Sequence, residues 1–396
     1  MSVLVTNAKS RIAYNIVRSL GEKGIRVYTG DFIKHPMSSY SKHSYGKIHY
    51  PSPFRQQNQF IETIIYAIKK LNLEVLIPVG EETYLISKYK EEFLKHIKLC
   101  IPDYNKILIA HNKDSWQQIA QANLIPTPKN YEIDELQQCD CCSEISFPLL
   151  IKPKQGGGAW GISQLNNLKE LKNFIRQNEH IGRPMKRFFI QEKIVGDTIC
   201  VAMLLCHGKC KAKVVYKQIR DFPFEGGQAT LRISIENREA ENSLIRLLEK
   251  LNWHGICQAD FIVDKKTGTP LLIDINPRFW GSITQGIASG IDFPYLIYKM
   301  AIYGDVEPLM EFQKGVMTRW LGGELRTFFS ALRYSDKKMK FIKEFIRPQG
   351  HALKYDDISL SDPLPFFIWM FDVFARAIRS RTTGAVSHDS LDGIWE

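Results

Sequence analysis

Residues whose types and spacing could do chemistry gather in one stretch, 255–278, which reads GICQADFIVDKKTGTPLLIDINPR. Two short apolar runs flank the polar link Asp264-Lys265-Lys266-Thr267-Gly268-Thr269, which suits a β-hairpin loop. Asp274 and Asn276 are two apart, so on a strand their side chains leave the same face. If the hairpin closes, Asp260 on the partner strand reaches that face as well. Two carboxylates and an amide oxygen held by a sheet suit a hard cation such as Mg²⁺ bridging phosphates. Pro277 cannot donate to a ladder, so the strand should stop there and release Arg278 beside the metal face. A guanidinium in that place stabilises charge built up during phosphoryl transfer. A hairpin with a polar rim would give the same short D-x-N-P string, so the rest of the chain has to decide.

The elements that must position this stretch follow from periodicity. Residues 2–6 form an apolar run, Ile12, Ala13, Ile16, Val17 and Leu20 recur at helical spacing, and 25–31 gives a second strand. Such a β-α-β opening builds a parallel sheet. Its first turn, Thr6-Asn7-Ala8-Lys9-Ser10, lacks the glycines that bring backbone against a pyrophosphate, which argues against dinucleotide binding. A helix over 59–71 feeds the strand 75–79, after which Gly80-Glu81-Glu82-Thr83 opens another helix. Glu81 and Glu82 could meet a substrate there, but acidic residues at that place more often cap the helix. Lys113 stands just ahead of a helix that runs to Ala122, where an anion could meet it; a lone lysine is more often solvated.

FPLLIKP (147–153) reads as a strand that carries Lys152 into Gln155-Gly156-Gly157-Gly158-Ala159-Trp160-Gly161. Consecutive glycines can fold into a nest of N–H groups around phosphate oxygens, although the spacing is not that of a P-loop. A helix near 167–177 precedes 187–197, an apolar strand leading into a glycine turn. Glu192 and the Lys193–Val195 backbone could hold an adenine edge, and Asp197 a ribose hydroxyl. Residues 199–205 and 211–219 read as a hairpin about His207-Gly208. Arg220, Gly226, Gly227 and Arg232 fall in a stretch that reads as loop and could hold a second anion. An amphipathic helix over 237–251 returns to the opening motif.

Composition narrows the class. The 396 residues with 44% hydrophobic content can bury a large core and divide into two to four lobes. There is no signal segment and no run of about 18 apolar residues, so a cytoplasmic location is expected. The eight cysteines show no disulfide spacing. Cys139, Cys141 and Cys142 crowd together without a matching Cys/His pair at zinc spacing, which reads as a surface loop of reduced thiols. The net charge of +11 suits a polyanionic partner, but the basic residues are spread out and no nucleic-acid module is visible, so no nucleic-acid partner is expected.

Taken in order, Lys113, Lys152, the 155–161 loop, Gln191-Glu192-Lys193-Ile194-Val195-Gly196-Asp197, Asp260 and Asp274-Ile275-Asn276-Pro277-Arg278 resemble the ATP-grasp superfamily. The likeness is to its carboxylate–amine ligases and to relatives of biotin carboxylase and the carbamoyl-phosphate synthase large chain, over about residues 1–310. The resemblance implies an α/β fold with α+β lobes: a Rossmann-like pre-ATP-grasp domain (1–110), a two-lobed ATP-grasp domain (111–310) and a C-terminal extension (311–396). Within the second, a lid lobe would span about 125–190 and a metal-binding lobe about 191–310. It implies phosphate contacts from Lys113 and Lys152, a mobile loop at Gly156, Gly157 and Gly158, and an adenine hinge at Glu192 and Val195. Asp197 would meet the ribose, Asp260, Asp274 and Asn276 the metal, and Arg278 and Lys152 the transferred phosphoryl group. The family commonly carries Glu at the first two metal positions, where this chain has the shorter Asp.

The cofactors so implied are ATP and Mg²⁺, with Mn²⁺ as an alternative. The reaction implied is activation of a carboxylate as an acyl phosphate, attack by an amine, and release of ADP and phosphate. A carboxylase or carbamoyl-phosphate-type synthase on the same scaffold is the enzymatic alternative, and an ATP-binding regulatory or scaffold protein the non-enzymatic one. No biotin-carrier lysine motif is visible. Residues 363–381, PLPFFIWMFDVFARAIRSR, are aromatic-rich with a basic end. They could dip into a membrane surface, though a buried or partner-facing helix explains the same pattern. Self-association stays open, and the last fifteen or so residues read as disordered.

Overall fold

The computed structural model describes residues 1–131, 145–154, 162–180, 188–222, 227–334 and 353–383. Residues 132–144 with Cys139, Cys141 and Cys142, the loop 155–161 with Gly156, Gly157 and Gly158, Gly226, and the terminal residues 384–396 lie outside them.

The chain opens with β1 (Ser2–Val5), α1 (Arg11–Gly21), β2 (Arg26–Asp31), β3 (Ser44–His49), α2 (Gln57–Leu71), β4 (Val75–Ile77), α3 (Glu82–Lys88), α4 (Lys90–Leu94) and β5 (Lys98–Leu99). The five strands make a parallel sheet in the order β3-β2-β1-β4-β5. Alternation along β1 explains its two-sided burial: Val3 and Val5 face one apolar cluster with α1, while Leu4 faces another with α2 and α3. In the first turn, Asn7 takes a left-handed φ of 52° and the Lys9 amide donates to the Asp31 carboxylate at 2.7 Å. A side chain thus occupies the donor that a dinucleotide phosphate would need.

Two helices, α5 (Tyr104–His111) and α6 (Lys113–Ala122), lead to a four-stranded antiparallel sheet of β6 (Asn130–Tyr131), β7 (Leu149–Pro153), β8 (Ser163–Leu165) and β9 (Phe188–Glu192). Its order is β6-β9-β7-β8, and α7 (Leu168–His180) covers one face through Leu171 and Ile175. The apolar run 187–197 does not form one strand. β9 stops at Glu192, and β10 (Gly196–Cys206) starts a different sheet, so 193–195 joins the two.

That second sheet has seven strands. It contains β10, β11 (Lys209–Phe222), β12 (Gln228–Ser234), then, after α8 (Arg238–Lys250), β13 (Gly255–Asp264) and β14 (Pro270–Asn276). Beyond α9 (Ile283–Ala288) and α10 (Phe293–Tyr303), β15 (Met317–Arg319), α11 (Leu321–Tyr334), β16 (Lys354–Tyr355) and α12 (Leu364–Thr383) complete the described chain. The sheet order is β14-β13-β10-β11-β12-β15-β16. One face packs on α8 through Val201, Ala259, Phe261 and Leu272. On the other, Ala202, Leu204, Val214 and Ile256 share a cluster with Val3, Val5, Ile16 and Ile77 of the parallel unit. The two units therefore share one continuous core.

Arg220 and Arg232 do not lie in a loop, as the sequence suggested; they sit in β11 and β12. Arg232 is fully buried and pairs with Asp356 at 2.5 Å, while Arg220 pairs with Glu324 at 2.6 Å. Both carboxylates come from residues after 310, so these arginines hold the last segment to the sheet instead of awaiting an anion. Asp357 accepts from the amides of Leu321 and Gly322 at the start of α11. On α12, Leu364, Phe367, Phe371 and Phe374 form an exposed apolar stripe at three- and four-residue spacing. Among the described residues, no helix is long and apolar enough to cross a membrane.

Candidate active site

The hairpin of β13 and β14 closes in the register that sets Asp260 directly opposite Asp274 and Gln258 opposite Asn276. A bulge after Asp260 lets Leu272 and Ile275, three apart, both enter the core, leaving Asp274 and Asn276 on the other face. Pro277 ends the strand.

Neighbouring side chains fix each donor. The Gln258 amide donates to Asp260 Oδ1 at 2.7 Å and accepts from Asn276 Nδ2 at 2.7 Å. This assignment leaves the Asn276 oxygen free of that contact. Cys200, opposite Asp260 on β10, also donates to Asp260 Oδ1 at 2.9 Å. Burial, together with the charge of Asp274, pushes Asp260 up to about 6. Burial and the charge of Asp260 do the same to Asp221 near the end of β11. Like charges held opposite each other on a hairpin are unfavourable until a cation lies between them. An all-oxygen donor set with that deficit of positive charge fits Mg²⁺ or Mn²⁺.

Positive charge arrives from three other elements. Lys113, at the first position of α6, is buried with its Nζ 3.9 Å from Asp274 Oδ1. Its neighbour Asn112 caps α6 by accepting from the Asp114 and Ser115 amides, which fixes where the helix begins. Lys152 on β7 is also buried and donates to Gln191 Oε1 at 3.1 Å. Gln191 donates in turn to Asn130 Oδ1 at 3.0 Å. Burial lowers Lys152 to about 8, with Asp274 and Asp260 opposing the fall and Lys113 adding to it. Burial also works against the Arg278 charge, but Glu81 and Tyr84 more than offset it, and Arg278 stays firmly protonated. Its Nε and Nη2 both donate to Glu81 Oε1, at 3.0 and 2.9 Å.

The sequence left Glu81 and Glu82 equivalent. Glu82 is buried and accepts from Thr6 and from the Val79 and Gly80 amides, so it braces the turn. Glu81 reaches from the carboxyl end of the parallel sheet to Arg278. His111, at the end of α5, feels the charges of Lys113, Asp274 and Arg278; burial and the Lys113 charge hold it near 4, and its ring is edge-on to Tyr84.

The hinge residues stand apart from this cluster. The Glu192 carboxylate accepts from the Lys129 amide at 2.7 Å, and the Val195 carbonyl accepts from Lys265 at 3.0 Å, with the Val195 side chain exposed. Asp197 pairs with Lys217 at 2.7 Å and leaves the opposite face of β10 from Cys200. By alternation, Thr198 is the residue of that segment on the Asp260 face. Sequence reasoning missed Gln258, Cys200, Asp221 and Asn130. Only Gln258 left a signal, two residues before Asp260 and so on the same strand face.

The arrangement gathers Lys113, Lys152, Asp260, Asp274, Asn276 and Arg278 from α6, β7, β13, β14 and the turn just past β14. Cations facing paired carboxylates are chemically suited to a metal-bound polyphosphate. Residues 110–282 match the model of the ATP-grasp domain family. A D-alanine–D-alanine ligase of Fusobacterium nucleatum is 25% identical over 181 residues, covering 42% of this chain and 56% of that protein. The chain thus spans little more than half the length of that relative. Biotin carboxylase of Campylobacter jejuni, solved as an ATP-analogue complex, superposes with a TM-score of 0.65 at 19% identity, over 80% of this chain and 74% of that one. The L-amino acid ligase of Bacillus licheniformis gives 0.60 at 16% identity, over 77% and 75%. At these identities the structural likenesses show the fold alone. Residues 110–282 of this chain are an ATP-grasp domain.

Proposed function

We propose that this chain is an ATP-dependent ligase that joins a carboxylate to an amine through an acyl phosphate. The observation that carries the reading is the meeting of three cations, Lys113, Lys152 and Arg278, with the paired carboxylates Asp260 and Asp274. Asp260, Asp274 and Asn276 would hold Mg²⁺, which when bound neutralises phosphate oxygens and polarises the γ-phosphoryl group. Lys113 and Lys152 bind the phosphate chain, and Arg278, oriented by Glu81, meets the oxygens whose charge grows during transfer. A substrate carboxylate oxygen attacks the γ-phosphorus and the bond to the β-phosphate bridging oxygen breaks, releasing ADP. The amine then attacks the acyl carbon, loses a proton, and phosphate departs. The nucleoside end would lie along 192–198. The exposed stripe of α12 is the surface through which a membrane-surface or partner contact would be made.

Purified protein with Mg·ATP, pooled carboxylic acids and hydroxylamine as nucleophile tests this reading. Hydroxamate with stoichiometric ADP, lost in Asn276→Ala, is the expected result. AMP in place of ADP would mean adenylation and would overturn it. The second reading is a carboxylase on the same scaffold. That reading requires ADP release to depend on bicarbonate and no hydroxamate to form from any other acid.

A further inference from the structure

A second cluster of ligating side chains lies at the other end of β10. Cys206 closes that strand, and His207 and Gly208, with φ of 45° and 81°, form the turn into β11. His254 lies on the segment entering β13. One ligand atom each from Cys206, His207 and His254 lies within 4.8 Å of the others. The two imidazoles stack, with ring centroids 4.3 Å apart and planes inclined by 22°. Cys100, just past β5 of the parallel sheet, brings its Sγ to 3.5 Å from His254 Nε2. His254 Nδ1 is buried with no hydrogen-bond partner.

The backbone is built to bring these segments together. Gly208 donates to the Trp253 carbonyl at 2.7 Å, tying the turn to the segment that carries His254. At Gly255, whose φ is 109°, a Cβ would lie 3.4 Å from the Cys100 carbonyl oxygen and 3.3 Å from Ile101 Cα. The thiol of Cys206 lies 3.5 Å from the Gly304 carbonyl and against the Asp305 carboxylate, contacts it would surrender on binding.

We propose that Cys100, Cys206, His207 and His254 form a zinc site that clamps the parallel N-terminal sheet to the seven-stranded sheet. Two sulfurs and two imidazole nitrogens are a donor set that selects tetrahedral Zn²⁺ over Mg²⁺ or Ca²⁺. Bonds of about 2.3 Å to sulfur and about 2.0 Å to nitrogen put neighbouring ligand atoms roughly 3.3–3.8 Å apart in a tetrahedron. The Cys100 Sγ–His254 Nε2 separation of 3.5 Å already has that value, and side-chain rotation would close the remaining ligands on the metal. On binding, each thiol loses a proton and forms a sulfur–metal bond, so one Zn²⁺ enters and two protons leave. Six residues along β10 separate Cys206 from Cys200, on the order of 20 Å, so the metal is structural and distinct from the phosphate site. The ligands come from residues 100, 206–207 and 254, which is why no local zinc spacing announces them.

The test uses the full chain with Cys139, Cys141 and Cys142 changed to Ser, which removes the other thiol cluster. After chelation, one equivalent of Zn²⁺ should bind and raise the thermal midpoint. Co²⁺ in its place should give the visible bands of a tetrahedral site and a thiolate charge-transfer band. His207→Ala, at an exposed turn residue, and Cys206→Ser should each weaken zinc binding by more than about a hundredfold, beyond the loss typical of an outer-shell partner. Circular dichroism of the metal-free variants should match the parent. No stoichiometric zinc, or zinc and cobalt spectra unchanged in both variants, would overturn the proposal.

Discussion

Lys152 gives a direct lever on the nucleotide site. Burial, countered by Asp274 and Asp260 and aided by Lys113, lowers its ammonium from the ordinary 10.5 to about 8. The charged form is therefore disfavoured in the nucleotide-free protein by about 3 kcal/mol. A polyphosphate supplies the anion that burial denied, so Mg·ATP binds the protonated protein, and its affinity should fall as Lys152 loses its proton. With a value near 8, the competent fraction is about 0.9 at pH 7 and about 0.1 at pH 9, a loss of about tenfold in affinity. Stability runs the other way. Between about 8 and 10.5 the unfolded chain keeps this proton while the folded chain has released it, so the nucleotide-free protein should gain stability with rising pH across that window. Titration with a fluorescent ATP analogue at pH 7, 8 and 9, with saturating Mg²⁺, reads the binding limb. Lys152→Arg, which stays charged at all three, should bind with a flat profile whatever its absolute affinity. A flat profile in the wild type, or the same slope in both proteins, would refute this reasoning.

Arg278→Lys should lower turnover by about 10²–10³-fold with little change in Mg·ATP affinity, because a lysine cannot keep two donors on Glu81 while meeting the phosphoryl oxygens; steady-state kinetics beside equilibrium binding checks the split. Asp356→Asn should cost about 3–5 kcal/mol in urea unfolding, since it leaves the fully buried Arg232 without its counter-charge.

The hairpin was legible because its information is local. Period-two alternation gives the common face of Asp274 and Asn276, the polar link gives the turn, and Pro277 gives the end of the strand. Periodicity also put Lys113 at the start of a helix, where it is the first residue of α6, and Lys152 near the end of β7. What failed was long-range pairing. Arg232 looked like a loop arginine because Asp356 lies 124 positions away, and nothing near it in sequence marks a buried ion pair. Glu81 could not be told from Glu82 because its partner Arg278 is 197 positions distant. The glycine turn ending 187–197 was legible, but apolar periodicity does not register a change of sheet, and at Gly196 a strand of the other sheet begins. There a Cβ would lie 2.1 Å from the Val263 carbonyl oxygen, a close approach that only the partner strand explains.

Acyl-phosphate chemistry is tested most directly by oxygen transfer. A carboxylate found by hydroxamate trapping, labelled with ¹⁸O in both oxygens, is turned over with Mg·ATP and its amine, and the phosphorus products are analysed by mass. One ¹⁸O in inorganic phosphate, with ADP unlabelled, is the expected result, because the oxygen that attacks the γ-phosphorus leaves with it. Label in AMP, or phosphate carrying none, would contradict ligation through an acyl phosphate.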